Sequence, residues 1–130
     1  STLFPYTTLG RSPAYCTSMG RILLSGLDPA DLTHYFSRVR MVPHTAKTQT
    51  SPEKVRSIVE NLRARDCAVV DQELEIGLRS ISVPVRDAHG RIAAAINISV
   101  QATRMSISEM EATLKPPLAA AAHELGLLLN

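Results

Sequence analysis

The sequence predicts an α+β domain in which helices surround a small antiparallel sheet. The chain has 130 residues, of which 45% are hydrophobic, so one domain with a real core is expected. Apolar residues recur at helical spacing from Pro52 to Arg65. From Gly77 to Ser99 they instead alternate with small polar residues on both sides of a turn, which is typical of a hairpin. Separate helical and hairpin segments of this kind favour the α+β class.

Two helices are predicted before residue 40. From Ala14 to Leu27 an apolar stripe follows helical spacing. Asp28 and Pro29 then form a cap followed by a proline at the first helical position, so a second helix should run from there to about Arg38.

A third helix and the first strand are predicted between residues 51 and 76. Ser51 repeats the cap-then-proline signal and begins the amphipathic helix Pro52–Arg65. Cys67–Val70 is a short strand candidate, and the acidic segment Asp71–Ile76 reads as a strand end and a loop. We also expect residues Leu3–Thr8 to add a strand to the sheet.

The hairpin turns at Asp87–Gly90, where Gly90 can supply a positive φ. After the hairpin, Ser106 or Ser108 should cap another helix. Pro116 and Pro117 are expected to kink this helix or split it, with a last Ala- and Leu-rich helix from Leu118 to Leu129.

One face of the hairpin has an unusual composition. If Arg86 pairs with Arg91, one face is aliphatic and the other carries serine, alanine and asparagine. The second face could face water, could lie against another backbone, or could form the floor of a cavity. Small side chains with a few hydrogen-bonding groups are typical of small-molecule sites, so a pocket is the preferred interpretation.

The segment Tyr15–Gly20 adds a second indication of a binding site. Free N–H groups at the start of a helix can hold a carboxylate, and the hydroxyls of Thr17 and Ser18 could donate further hydrogen bonds. The alternative is an ordinary helix start with hydroxyl caps. Opposite the polar face of the hairpin, this segment would form a wall or lid of the pocket.

Several classes of function are disfavoured by composition. The net charge is +2 and aromatic residues make up 4%, so neither a basic nucleic-acid surface nor a base-stacking platform is predicted. No apolar run reaches the roughly 18 to 20 residues of a membrane span. Cys16 and Cys67 are expected to be buried free thiols. Asp71, Glu73 and Glu75 could hold a divalent metal, but the sequence predicts neither a metal nor another cofactor.

The stretches PAYCTSMGRILL and VVDQELEIGLRSISVPVRDAHGRIAAAINIS resemble the effector-binding domain of the IclR family of bacterial transcription regulators. The resemblance is greatest to the branch that regulates protocatechuate, 4-hydroxybenzoate and β-ketoadipate catabolism. It implies a GAF-like fold, with an antiparallel sheet that has helices on one face and a ligand pocket on the other. Residues 1–130 would be a single effector-binding domain, and the family's N-terminal winged helix-turn-helix would be missing from this fragment.

The resemblance also implies particular binding residues. The family's pocket loop matches Ser18, Met19 and Gly20, and its acidic loop, near the pocket mouth, matches Asp71-Gln72-Glu73. Tyr15 could stack on an aromatic ring. The effector-facing strand positions match Leu78, Ser80, Asn97 and Ser99.

The sequence therefore predicts a non-enzymatic sensing domain for a small carboxylate, either an aromatic acid or a dicarboxylate. It would act in a cytoplasmic homodimer or tetramer, contact operator DNA only through the missing domain, and have no membrane partner. Two alternatives stay open: an oligomerisation module without a ligand, and a small metal-dependent hydrolase.

Overall fold

The computed structural model describes residues 13–129. A 3₁₀ turn at Ala14–Cys16 precedes the helices α1 (Ser18–Ser25), α2 (Pro29–Arg38) and α3 (Pro52–Arg65). The strands β1 (Ala68–Asp71), β2 (Leu78–Arg86) and β3 (Ile92–Gln101) form an antiparallel sheet in the order β1-β2-β3. Helix α4 (Ile107–Gly126) follows the sheet. This confirms the α+β class, whereas the strand expected at Leu3–Thr8 lies outside the described residues.

The helix starts follow the capping signals in the sequence. The Thr17 side chain accepts a hydrogen bond from Gly20 N at the start of α1, and Ser51 does the same for Lys54 N at the start of α3. At α4, Ser106 caps the helix in a reciprocal capping box with Glu109. Thr17 interrupts the single helix predicted for Ala14–Leu27, because its extended backbone separates the 3₁₀ turn from α1.

Of the two effects predicted for Pro116 and Pro117, a kink or a split, the split is wrong, since α4 is continuous from Ile107 to Gly126. A proline removes the hydrogen bond to the carbonyl four residues earlier, which here belongs to Ala112 and Thr113. Both residues are exposed, so water can bind these carbonyls. Leu118 and Met110 anchor the helix on either side of the prolines by packing against the sheet.

The hairpin register differs from the one predicted by two residues over most of its length and by one residue at Arg86. Arg86 pairs with Ile92 rather than Arg91, and a bulge lies between Val85 and Arg86. Val83 consequently lies opposite Ile96, and Ile81 opposite Ile98. Because side chains alternate with a period of two, a shift of two residues leaves the side chains on their predicted faces over most of the hairpin. Ile92, beyond the bulge, is the exception, since it packs beside Ala95 on the side of α1 rather than on the aliphatic face predicted for it.

The sheet has helices on both sides. Its aliphatic face packs against α4 in a cluster that contains Ile81, Val83, Val85 and Met110. We use the name polar face for the other side of the hairpin, which carries Ser80, Ser82, Asn97 and Ser99. Helix α1 covers one end of it. A separate core among the 3₁₀ turn, α1, α2 and α3 contains Tyr15, Leu24, Leu32, Tyr35, Val55 and Val59.

Candidate functional site

The first turn of α1 is fixed tightly to the segment that precedes it. A Cβ atom at Gly20 would lie 2.4 Å from Ala14 Cα, so only glycine allows this approach of two backbones. Thr17 Oγ1 accepts from Gly20 N at 3.1 Å and donates to Pro13 O at 3.1 Å. The Thr17 hydroxyl is therefore already used on both sides as a cap. Gly20 has a packing role at the position where the sequence predicted a ligand contact.

Ser18 differs from its neighbours because its buried hydroxyl has no partner. The residue is 1% exposed, and among residues 13–129 no group forms a hydrogen bond with its Oγ. A buried polar group left unsatisfied costs about 1 to 3 kcal/mol. The N–H groups of Ser18 and Met19 also precede the first carbonyl-bonded amide of α1, that of Arg21. Donor groups thus gather at the start of α1.

The packing of α1 shows which part of the sheet this start approaches. A Cβ on Gly26, at the end of α1, would lie 3.1 Å from Ile92 Cβ, and Ile22 packs with Ala68 and Ala95. Ser18 lies four residues before Ile22 on the same side of the helix, about 6 Å nearer the helix start. A strand advances by two residues in about 6.6 Å. Continued along β3, this line leads from Ala95 toward Asn97.

The side chains of the polar face are small and differ in their exposure. Ser82 is fully buried and donates to Ile96 O at 2.8 Å. Ser80 is half-buried opposite Ser99, while Asn97 and Ser99 are exposed and 3.4 Å apart between Nδ2 and Oγ. Their hydroxyl and amide groups are therefore available for directed hydrogen bonds. Leu78 is half-buried at the end of β2, opposite Gln101.

The acidic residues expected near the site are held by cations of the chain itself. Asp71 accepts from Arg79 Nε at 2.7 Å and lies 3.6 Å from Lys47 Nζ. The hydrogen bond from Arg79 holds the pKa of Asp71 below its usual range. Glu73 instead forms a bidentate pair with Arg21. Because Asp71 and Glu73 are paired with different arginines, they do not form a shared metal site with Glu75. Within the described part of the chain no group of three or more His, Cys, Asp or Glu residues could hold a metal ion.

Tyr15 belongs to the core formed by the helices. It is 2% exposed, its hydroxyl donates to Val42 O at 2.9 Å, and the same oxygen accepts from Val42 N at 2.8 Å. Burial is the main cause that raises its pKa. These contacts satisfy the hydroxyl both as donor and as acceptor without a ligand. Because the residue is almost fully buried, its ring has no exposed face for the stacking expected of Tyr15.

Arg21 is an important residue that the sequence interpretation did not include. It is 2% exposed, and its side chain contacts both the 3₁₀ turn and Glu73. One signal was present: Arg21 is a cation within the apolar run Met19–Leu24. Because its partner is 52 residues away, no local pattern could have identified the pair.

Among residues 13–129, the surface cavities include two that lie away from the polar face. One, of about 410 Å³, lies between the hairpin turn and the end of α4, next to Pro84 and Gly126. The other, of about 530 Å³, lies near Arg63, Arg91 and the start of α2. The cavity expected between α1 and the polar face remains a prediction. None of the helices in residues 13–129 has the length and apolar character that crossing a membrane requires.

Comparison with known proteins gives a consistent result. A family profile described as bacterial transcriptional regulator IclR C-terminal matches residues 2–126. The Pca regulon regulatory protein of Pseudomonas putida is 47% identical over 116 residues, which cover 89% of this chain and 40% of that protein. The p-hydroxybenzoate hydroxylase transcriptional activator of Acinetobacter baylyi is 31% identical, covering 88% and 42%. The chain thus spans less than half the length of these curated relatives.

Solved structures agree with this in fold. A transcriptional regulator from Rhodococcus sp. RHA1 superposes with a TM-score of 0.86 at 39% identity, covering 88% of this chain and 47% of that one. The inducer-binding domain of a PobR double mutant from Acinetobacter, crystallised with 3-hydroxybenzoic acid, superposes with a TM-score of 0.85 at 30% identity, covering 90% and 67%. The relatives named here are regulators, so the chain is a regulatory domain rather than an enzyme.

Proposed function

Because the chain belongs to the IclR family of bacterial transcriptional regulators, we propose that it senses a small aromatic acid for a regulator of aromatic-acid catabolism. The proposed site lies between the start of α1 and the polar face. The observation that carries it is the Ser18 hydroxyl, which is buried and without a partner among the described residues. A ligand oxygen at this point would satisfy a group that the fold leaves unsatisfied.

The start of α1 suits the carboxylate of such an acid. The N–H groups of Ser18 and Met19 lie at the positive end of the helix dipole, where anions are stabilised. Arg21, the cation nearest in sequence, is already paired with Glu73. The ligand carboxylate would therefore be held by backbone amides and the Ser18 hydroxyl, as a charge-assisted hydrogen-bonded group.

The polar face suits the rest of the molecule. Ser80, Asn97 and Ser99 could bind a ring hydroxyl, while the shorter side chains of this face leave space for the ring. Relatives whose names refer to the Pca regulon and to p-hydroxybenzoate, and a neighbour crystallised with 3-hydroxybenzoic acid, favour a hydroxylated benzoate over a keto acid.

Regulation would require a second domain and more than one subunit. We propose that the parent protein binds operator DNA through a winged helix-turn-helix preceding this domain, and that it acts in the cytoplasm as a dimer or tetramer. The ligand must favour one arrangement of subunits, because it shifts an equilibrium only by its differential affinity. A coupling of about 1 to 3 kcal/mol would change operator affinity about 5- to 150-fold.

Calorimetric titration tests this proposal. Protocatechuate and 4-hydroxybenzoate should bind with submillimolar affinity, more tightly than β-ketoadipate or pyruvate. Ser18→Ala should weaken binding about tenfold, the effect of losing one hydrogen bond to a charged group. Ser57→Ala, at an exposed position of α3, should not change it. If none of the four compounds binds below millimolar concentration, the sensing function proposed for these ligands is wrong.

A further inference from the structure

The charged side chain of Arg21 is almost fully buried. The Arg21 side chain is 3% exposed and that of Glu73 is 13% exposed. The two groups form a bidentate pair, with Nη1 to Oε2 at 2.9 Å and Nη2 to Oε1 at 2.8 Å. Arg21 Nε also donates to Tyr15 O at 2.8 Å. The planar guanidinium thus fixes two separate chain segments at defined angles.

Glu73 extends this connection to a third segment. Its Oε1 also accepts from Gln49 N at 2.9 Å, and its carbonyl oxygen accepts from the Thr48 hydroxyl. Thr45 Oγ1 donates to Gln72 O at 2.7 Å. The loop before α3 and the loop between β1 and β2 are therefore joined at the carboxylate that holds Arg21.

A buried ion pair of this kind contributes little net stability compared with well-packed apolar side chains, because both charges lose their hydration. Its geometry is nevertheless well defined. The carbonyl of Tyr15 lies just before the helix start, and Arg21 is on the first turn itself. Arg21 thereby fixes the angle between the 3₁₀ turn and α1, and with it the directions of the Ser18 and Met19 N–H groups.

We propose that Arg21 and Glu73 are positioning residues for the effector site: they hold the first turn of α1 in the orientation that receives the carboxylate without contacting it. This inference rests on the function proposed above. It also implies that the ligand anion is bound by neutral groups because the nearby guanidinium is reserved for the internal pair.

The test compares Glu73→Gln and Arg21→Lys with a matched control. Glu73→Gln keeps the shape and an oxygen acceptor, while Arg21→Lys keeps the charge but loses the bidentate fork. The control is Asp66→Asn, which removes the negative charge from an exposed ion pair with Arg86. The two charged groups are 2.7 Å apart, and the side chains of Arg86 and Asp66 are 38% and 53% exposed. For each protein we would measure 4-hydroxybenzoate and protocatechuate affinity, the thermal midpoint and amide hydrogen exchange.

Both variants of the buried pair should bind these acids about tenfold more weakly than the wild type, as expected for coupled neighbours. The Gly20 and Arg21 amides, which bond to Thr17, should exchange about tenfold faster. The Val83 amide should exchange at its wild-type rate, and Asp66→Asn should behave as wild type in all of these measurements. A purely structural pair would instead speed exchange at Val83 and Gly20 together.

The positioning role would be overturned by wild-type affinity in both variants, or by equal acceleration at Val83 and Gly20. If the wild type itself binds neither acid, the proposed function fails. The exchange pattern at Gly20 and Arg21 then decides on its own whether the pair orients the helix start. Should Glu73→Gln prevent folding, Arg21→Lys supplies the same comparison with the charge retained.

Discussion

Gly126, in the last turn of α4, lies directly against the backbone of Arg86 in β2. A Cβ atom at Gly126 would be 2.5 Å from Arg86 O. The absence of a side chain at this position therefore allows the end of the helix to rest on the strand next to the hairpin bulge.

Gly126→Ala should destabilise the domain by about 1 to 3 kcal/mol, because the added methyl group forces two backbones apart. Helix propensity alone would give the opposite sign, since alanine is favoured over glycine by roughly 1 kcal/mol. Urea unfolding measures the net effect. Ala121→Gly, at an exposed position of the same helix, calibrates the propensity contribution. A more stable Gly126→Ala protein would show that the close contact is not formed.

The capping box at the start of α4 gives a second prediction. Ser106→Ala should cost about 1 kcal/mol, because Glu109 N loses its acceptor, 3.1 Å away. Ser108→Ala, two residues later on the exposed side, should change the unfolding free energy very little. Equal effects of the two substitutions, measured by thermal unfolding, would contradict the assignment of Ser106 as the cap.

The parts of the fold that depend on local chemistry could be predicted from the sequence. Asp28-Pro29 and Ser51-Pro52 located two helix starts correctly, because a proline at the first helical position acts within one turn. Ser51 also caps its helix, whereas the Asp28 side chain makes no capping hydrogen bond. The two faces of the hairpin were also predicted correctly over most of its length, since strand alternation does not depend on a register shift of two.

Features that depend on distant contacts could not be predicted. The continuity of α4 through Pro116 depends on the packing of Met110 and Leu118 against the sheet. Within the site, the pairing of Arg21 with Glu73 joins segments 52 residues apart. The aromatic ring of Tyr15 is of a type that stacks on ligands, but its hydroxyl forms both of its hydrogen bonds with the backbone of Val42.

Asp71 should contribute to the acid sensitivity of the domain. Its pKa is held below the ordinary value of 3.8 in the folded state, mainly by the hydrogen bond from Arg79. The stabilisation it provides is therefore fully present above that ordinary value and is lost as the pH falls through the lower folded value. In Asp71→Asn, the free energy of unfolding should depend less steeply on pH below about 4.

Urea titrations at several pH values between 2 and 6 would measure this slope for both proteins. Glu53→Gln, which removes a carboxylate from the exposed start of α3, serves as the control. An unchanged slope in Asp71→Asn would mean that its contact with Arg79 persists after protonation or is absent in solution.

The two cysteines should be unreactive in the native protein. Both thiols are free and buried, and burial raises the pKa of Cys16 to about 11 and also raises that of Cys67. The thiolate is the reactive form, so very little of it is present at pH 8. A colorimetric disulfide reagent should react slowly at pH 8 and rapidly with both thiols in urea. A rapid reaction of one thiol before unfolding would contradict this burial.

Ser18 and Ser82 offer a matched comparison between a site residue and a structural one. Both are almost fully buried, but Ser82 donates to Ile96 O, whereas Ser18 has no partner among the described residues. Ser82→Ala should lower the unfolding free energy by about 1 kcal/mol, since the Ile96 carbonyl loses a donor. Ser18→Ala should leave stability unchanged or raise it, because it removes an unsatisfied group.

Ligand affinity should show the reverse order. Ser18→Ala would weaken binding of 4-hydroxybenzoate, and Ser80→Leu would abolish it by filling the space over the polar face. Ser82→Ala would retain binding, because its hydroxyl is directed to the sheet backbone. Such an exchange of stability for binding is common where a site keeps a group that the fold does not need. Urea unfolding combined with calorimetry on the three variants measures both quantities. If Ser18→Ala destabilises the ligand-free domain as much as Ser82→Ala does, the Ser18 hydroxyl has a partner within the chain and is not held for a ligand.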